Sequence, residues 1–172
     1  MATTQITTDE RADLIESLGK ARHFLRFTVR GLTDEQAALH STVSQLCLGG
    51  LIKHVTDVEQ NWADFILNGP GESAEFDPAV MEQWARQFQM TPEDTLDGVL
   101  ARYQEVADRT DQIVRELPDL NLSHPLPEAP WFTPGAAWSA RRTLLHIIAE
   151  TAQHAGHADI IRESIDGSKS MG

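Results

Sequence analysis

The chain has 172 residues, 41% of them hydrophobic, and we expect one domain spanning residues 1–172 around a hydrophobic core. The formal net charge of −12 disfavours nucleic acid and membrane surfaces as partners, because both repel an acidic protein that lacks a basic patch. No apolar run approaches the ~20 residues of a membrane span, and no signal peptide is recognisable, so we expect a cytoplasmic protein.

Three segments with a 3.6-residue apolar rhythm precede residue 118 and are predicted to be helices. They run from about 8 to 31, from about 44 to 67 and from about 91 to 117. "LTDEQA", between the first two, predicts a single-turn helix. "TPED" predicts that the third begins with Thr91 as N-cap. The Gly/Pro-punctuated stretch over 68–90 predicts a loop with one short helix.

The segment from Pro118 to Trp138 contains five prolines, which is too many for a helix. This long loop either walls a ligand pocket with its aromatic residues, Trp131, Phe132 and Trp138, or packs as a simple crossover. The fourth helix is predicted from about Ser139 to Ile165, and "DGSKS" ends it. No stretch alternates with period two, so no strand is expected. The predicted fold class is all-α, a four-helix bundle with one long crossover before the fourth helix.

The stretch "HIIAETAQHAGHAD" places one glutamate and three histidines on one face of the fourth helix: His146, Glu150, His154 and His157. His146 and His157 are about 16 Å apart along the helix axis, so they cannot bind one ion. The pairs His146/Glu150, Glu150/His154 and His154/His157 each have a spacing that can supply two ligands to a metal.

A third ligand has to come from another helix, and His54 in "GLIKHVTDVEQNW" lies in register with the apolar stripe of the second helix. A core-facing histidine opposite a Glu/His pair is typical of metal sites in bundles. Cys47 is the only cysteine, so no Cys-rich zinc motif exists and any ligands are nitrogen and oxygen. Two ordinary alternatives remain: His54 as a hydrogen-bonded core residue, and Glu150 as a surface or ion-paired carboxylate.

Two blocks, "LGGLIKHVTDVEQNW" and "WSARRTLLHIIAETAQHAGHADIIRESIDG", resemble the DinB-like superfamily of metal-binding four-helix bundles. The resemblance is closest to the actinobacterial mycothiol S-transferase branch, which is related to the N-terminal domain of mycothiol-dependent maleylpyruvate isomerases. Many DinB-like proteins use one histidine of the second helix and an H-x-x-x-H of the fourth. Here the fourth helix has E-x-x-x-H, as in the mycothiol-dependent branch. The resemblance therefore implies the metal ligands His54, Glu150 and His154.

Two further residues are candidates for substrate binding. His157 matches no ligand of the family pattern, but it lies one turn beyond His154 on the same face. Asn61 lies two turns after His54 on the same face and is expected to contact a polar substrate, unless it is an ordinary boundary residue. His146 is expected to have a structural or supporting role.

The resemblance implies a metal-dependent S-transferase that activates mycothiol as a thiolate for conjugation to electrophiles or xenobiotics. Three protein ligands with an open fourth position are typical of catalytic zinc, so Zn²⁺ is the expected metal. The expected partners are a small-molecule thiol and an electrophile, and DinB-like relatives suggest a homodimer. The alternatives are a non-haem iron oxygenase, a metal-activated hydrolase, and a non-enzymatic stress-associated bundle that binds a metal or small molecule.

Overall fold

The structure is a computed structural model that describes residues 9–71 and 86–170. Within these residues the elements, in chain order, are α1 (Glu10–Phe27), α2 (Asp34–Ala37), α3 (Leu48–Asn68), α4 (Leu96–Glu116), β1 (Ser123–Pro125), β2 (Ala137–Ser139) and α5 (Ala140–Asp166). The long helix α5 packs against α1 and α3, and α4 packs against α3 and α1. The predicted all-α four-helix bundle is confirmed. None of the described helices has the length and apolarity needed to cross a membrane.

Most helix ends follow the capping chemistry of the sequence. Asp9 caps α1 by accepting a hydrogen bond from the backbone N–H of Arg11 at 3.0 Å. The single-turn helix α2 is confirmed, and it carries a capping box between Thr33 and Gln36. Ser139 caps α5, which ends at Gly167 in the left-handed conformation.

The predicted starts of the second and third long helices are wrong, in both cases because polar side chains form turns first. Before α3, the hydroxyl of Ser44 accepts a hydrogen bond from the backbone N–H of Leu46 at 3.2 Å. Before α4, Asp94 accepts hydrogen bonds from both the backbone N–H and the hydroxyl of Thr91, at 2.7 and 2.9 Å. Thr91 is therefore a donor in a turn, and Thr95 is the N-cap of α4.

The expectation of no strands is also wrong, because β1 and β2 form a small antiparallel hairpin at the two ends of the crossover. Strands of three residues are too short to show a period-two pattern. The hairpin pairs His124 with Trp138. His124 is half-buried, and its Nε2 lies 3.2 Å from the carbonyl oxygen of Ile66 at the end of α3. Gly69 has a positive φ of 76°, and a Cβ there would lie 3.0 Å from the His124 ring.

A buried ion pair joins three helices inside the bundle. Arg22 of α1 donates two hydrogen bonds to Glu59 of α3, at 2.5 and 3.1 Å, and one to Asp111 of α4 at 2.8 Å. Glu59 has no exposed surface, and Arg22 is 4% exposed. Buried carboxylates need such partners, since an unpaired charge in the core costs several kcal/mol. The pair therefore holds α3 in one position relative to α1 and α4.

We expect Glu59→Gln to lower the free energy of unfolding by about 3 kcal/mol, because it leaves the buried Arg22 guanidinium undercompensated. Asp57→Asn is the matched control, since it removes the partner of Arg102 in an exposed ion pair and should cost less than about 1 kcal/mol. Urea denaturation of the purified variants measures both. Equal losses in the two variants would show that the buried pair has no special role.

Candidate metal centre

The structure brings together three side chains that the sequence places on two helices. His54 on α3 and Glu150 and His154 on α5 each offer one ligand atom, and these atoms all lie within 4.8 Å of one another. The rings of His54 and His154 meet edge to face with centroids 4.9 Å apart. His154 Nε2 lies 3.7 Å from Glu150 Oε2. All three side chains are half-buried, so the cluster lies at the boundary of the core.

The cluster forms because α3 and α5 pack antiparallel in one register. The ring of His54 on α3 contacts the ring of His154 on α5. Trp62 lies eight residues after His54, and it contacts His146, which lies eight residues before His154. The ring centroids are 4.9 Å apart in both contacts. The i,i+4 spacing places Glu150 and His154 on successive turns of α5, so both reach the same point opposite α3.

Phe88 covers one side of the cluster and was not singled out by the sequence analysis. Its ring stacks on His54 with centroids 4.1 Å apart. Its backbone lies directly on α3, where a Cβ at Gly50 would be 1.9 Å from the Phe88 carbonyl oxygen. Gly49 is similar, since a Cβ there would meet Met90 Sδ at 2.1 Å. The pair of glycines inside a helix was the available signal, because glycine there is unfavourable without a packing reason.

Both histidines of the cluster favour the neutral form. The pKa of His154 is lowered from 6.5 to about 4, first by burial, then by the neighbouring His54, while Glu150 opposes the shift. Burial also lowers the pKa of His54. Neutral imidazoles carry the lone pair that a metal ligand needs, so at neutral pH no proton competes for these nitrogens.

A divalent cation fits this donor set. Two neutral nitrogens and one carboxylate oxygen are ligands that zinc and other first-row metals accept, and three protein ligands leave a position open. His54 Nδ1 is buried and has no hydrogen-bond partner among residues 9–71 and 86–170. Such a buried, unsatisfied nitrogen is uncommon in a purely structural core.

His157 lies beside the cluster and contacts one of its members. The Nδ1 atoms of His157 and His154 are 3.4 Å apart, close enough for one ring to donate to the other. When His154 Nδ1–H is the donor of this hydrogen bond, the free lone pair of the ring is on Nε2, which lies 3.7 Å from Glu150 Oε2. The geometry places His157 where it can orient His154.

Asn61 lies outside the cluster. It is exposed on α3, seven residues or about 10 Å along the axis from His54, and lines a groove of about 670 Å³. His146 is also not one of the three residues whose ligand atoms converge. It contacts the rings of Trp62 and Trp138, which stack on each other at 4.9 Å. Of the crossover aromatics, Trp138 and Phe132 join this packing, while Trp131 is 58% exposed.

We expect Gly50→Ala to destabilise the protein by about 2 kcal/mol, because its methyl group would displace the Phe88 backbone from α3. Gly19→Ala in α1 is the control. Nothing lies within 4 Å of a Cβ there, so the better helix propensity of alanine should stabilise the protein by up to about 1 kcal/mol. Urea denaturation distinguishes the signs, and stabilisation by both changes would contradict the close contact.

The lowered pKa of His154 predicts that the metal-free protein loses stability as the pH falls from about 6.5 towards about 4. In that range the unfolded chain binds a proton that the folded chain excludes, so the free energy of unfolding rises with pH. Urea denaturation with chelator at several pH values should show a shallower dependence in His154→Gln. His40→Gln, at an exposed loop histidine, is the control. An unchanged slope in His154→Gln would contradict the shift.

Comparison with known proteins supports the fold and the family. The chain is similar to the crystal structure of a conserved protein from Enterococcus faecalis, with a TM-score of 0.65, 14% sequence identity, and coverage of 94% of this chain and 100% of that one. At this identity the likeness shows the fold alone. No curated protein matches the chain. The profile of the mycothiol S-transferase family matches residues 13–167, which include all three side chains of the cluster.

That match covers most of the chain. The two sequence blocks that resemble the mycothiol-dependent DinB-like proteins contain His54, Glu150 and His154, whose ligand atoms lie close together in the structure. The match extends from the first turn of α1 to the glycine that ends α5. The chain belongs to the mycothiol S-transferase family and is an enzyme.

Proposed function

We propose that this protein is a metal-dependent mycothiol S-transferase in which His54, Glu150 and His154 hold one divalent metal, with Zn²⁺ as the expected ion. The observation that supports this most directly is the approach of three ligand atoms, from two helices, to within 4.8 Å of one another in a chain of this family. The electrophile is a xenobiotic or another small molecule with a good leaving group.

Each of the three side chains would contribute one ligand atom to the metal. A bound divalent cation supplies the positive charge that lowers the pKa of a coordinated thiol below its usual ~8.5, so that thiolate is present at neutral pH. His54 and His154 are neutral, and Glu150 brings a single negative charge. Phe88 shields His54 on one side, and His157 holds His154 in orientation.

The sulfur comes from outside the chain. Cys47 is the only cysteine, and it is fully buried before α3, with its thiol 3.5 Å from the Phe88 carbonyl oxygen. It is not one of the three residues whose ligand atoms converge. A nucleophilic sulfur must therefore be a cosubstrate, and the family identifies mycothiol as that thiol.

The transfer needs no oxidant or reductant. The thiol proton goes to solvent, a bond forms between sulfur and the electrophilic carbon, and the bond from that carbon to the leaving group breaks with its electron pair. The contribution of the chain is to place the two reactants side by side, which lowers the entropic part of the barrier.

The test is a conjugation assay on zinc-loaded protein with monochlorobimane, offering mycothiol, glutathione and cysteine in parallel with protein-free controls. We expect turnover with mycothiol, and a loss of at least about 100-fold in Glu150→Gln and His54→Ala, with loss of bound zinc by elemental analysis. Glu163→Gln, an exposed carboxylate further along α5, should retain zinc and activity.

Two results would contradict the proposal in different ways. A Glu150→Gln protein with full zinc and full turnover would show that the ligand assignment is wrong. No turnover with any thiol, on protein holding one metal per chain, would show that the transferase assignment is wrong and would favour a hydrolase or a binding protein.

A further inference from the structure

A cavity of about 750 Å³ lies between α1 and α4, away from the candidate metal centre. Helix α5 packs against α1 and α3, and α4 packs against α3 and α1, so the α1–α4 side of the bundle is opposite the α3–α5 side. None of His54, Glu150 and His154 lines the cavity. A ligand bound there would therefore act apart from the S-transferase chemistry.

Three arginines line the α1 side of the cavity at intervals of one helical turn: Arg22, Arg26 and Arg30. Arg22 is compensated by the carboxylates of Glu59 and Asp111. Among residues 9–71 and 86–170, no carboxylate forms an ion pair with Arg26 or Arg30. In a chain with a net charge of −12, two arginines without a carboxylate partner indicate a position for an external anion.

Arg26 is the middle member of this row, and its hydrogen bonding is incomplete. Its guanidinium lies over the Tyr103 ring, 4.7 Å from the centroid, and its Nη1 donates to the side-chain oxygen of Gln104 at 2.6 Å. Its Nη2 is buried and has no hydrogen-bond partner in the described part of the chain. Gln104 thus offers Arg26 a neutral amide, whereas Asp111, two turns along α4, offers Arg22 a carboxylate. A half-buried guanidinium is better satisfied by an ionised acceptor.

The other carboxylates of the cavity limit the charge that a ligand can carry. Asp111 is bound to Arg22, and Asp108 accepts a hydrogen bond from the Gln104 amide at 2.7 Å. Asp97 lines the cavity from the first turn of α4. These negative charges repel a dianion more strongly than a monoanion. The cavity is therefore better matched to a carboxylate than to a phosphate.

The cavity is also larger and more apolar than an inorganic anion requires. Its volume lies in the range of about 300–1,000 Å³ that is typical of small-molecule sites. Apolar side chains from both helices and the turn after α1 contribute to the lining: Phe27, Val29, Leu32, Leu96 and Leu100. These side chains offer contact surface to an apolar body attached to the acidic group.

We propose that the cavity between α1 and α4 binds a small organic monocarboxylate with an apolar body. The carboxylate replaces Gln104 as the acceptor for Arg26, and Arg30 adds a second positive charge one turn away. A planar guanidinium can donate to both oxygens of a carboxylate, whereas the Gln104 side chain has a single oxygen. The apolar body packs against the leucines of the lining.

The first test is calorimetric titration of the purified full-length protein with benzoate and with hexanoate at constant ionic strength. We expect a dissociation constant of about 1 mM or lower for at least one of them, as for an efficient ligand of this size. Benzamide, which has the shape of benzoate without its charge, should bind at least about tenfold more weakly. Inorganic phosphate should also bind at least about tenfold more weakly, because it has no apolar body and carries more charge.

The decisive variant is Gln104→Glu, which supplies Arg26 with a carboxylate from the chain itself. We expect it to weaken benzoate and hexanoate binding by at least about tenfold, because the new carboxylate occupies the same guanidinium. Gln112→Glu makes the same charge change at an exposed position of α4 outside the cavity lining, and it should change binding by less than about twofold. Arg30→Gln should weaken binding by about fivefold.

Thermal unfolding separates loss of binding from loss of fold. Gln104→Glu keeps all three arginines, so its unfolding midpoint should lie above that of Gln112→Glu, and a lower midpoint would contradict the missing compensation at Arg26. Three titration results would overturn the site. These are no binding of either carboxylate up to about 20 mM, binding of benzamide or phosphate as tight as that of the carboxylates, and unchanged binding in Gln104→Glu. The last result would place the carboxylate elsewhere, for example at the candidate metal centre.

Discussion

The antiparallel packing of α3 against α5 is the constraint on which the rest of the structure depends. One register of these two helices sets His54 against His154 and, two turns away, Trp62 against His146. Glu150 lies between these contacts on α5 and completes the metal-ligating set. A shift of one residue between the helices would turn these side chains by about 100° and separate them. The candidate metal centre therefore depends on a single packing arrangement of two helices.

Two polar centres act on α3 from different sides. The buried Arg22–Glu59–Asp111 cluster connects α3 to α1 and α4, and the candidate metal centre connects α3 to α5. Charges buried without a partner are costly, so alternative registers that separate Arg22 from Glu59 are disfavoured. The ion pair thus contributes to the site without touching it, by restricting where His54 can lie.

Glycine determines what covers the site. Because Gly49 and Gly50 have no side chains, the segment around Phe88 approaches the backbone of α3, and its ring stacks on His54. At the other end of α3, Gly69 allows the close approach of His124 and with it the start of the crossover. The two ends of one helix thereby position an aromatic ring beside His54 and the beginning of the crossover.

Sequence periodicity was sufficient to predict the four long helices and their approximate lengths, and the prolines between the last two predicted the long crossover. It failed where short-range polar contacts compete with helix formation, as at Ser44 and at Thr91 with Asp94, because a side chain that bonds a nearby N–H replaces the first helical turn. It also missed the hairpin, because pairing between residues fourteen apart, such as His124 and Trp138, leaves no periodic trace in three-residue strands.

For the candidate site, the sequence by itself determined that Glu150, His154 and His157 share one helical face, since their spacing fixes this for any α-helix. The apolar register of the second helix made His54 a candidate partner, and the family resemblance implied that His54, Glu150 and His154 together are the ligands. Tertiary structure alone decided that the three ligand atoms approach within 4.8 Å, that Phe88 covers His54, and that Trp62 joins Trp138 beside Asn61. These contacts join residues far apart in the chain, and only the packing of the helices and the crossover sets such distances.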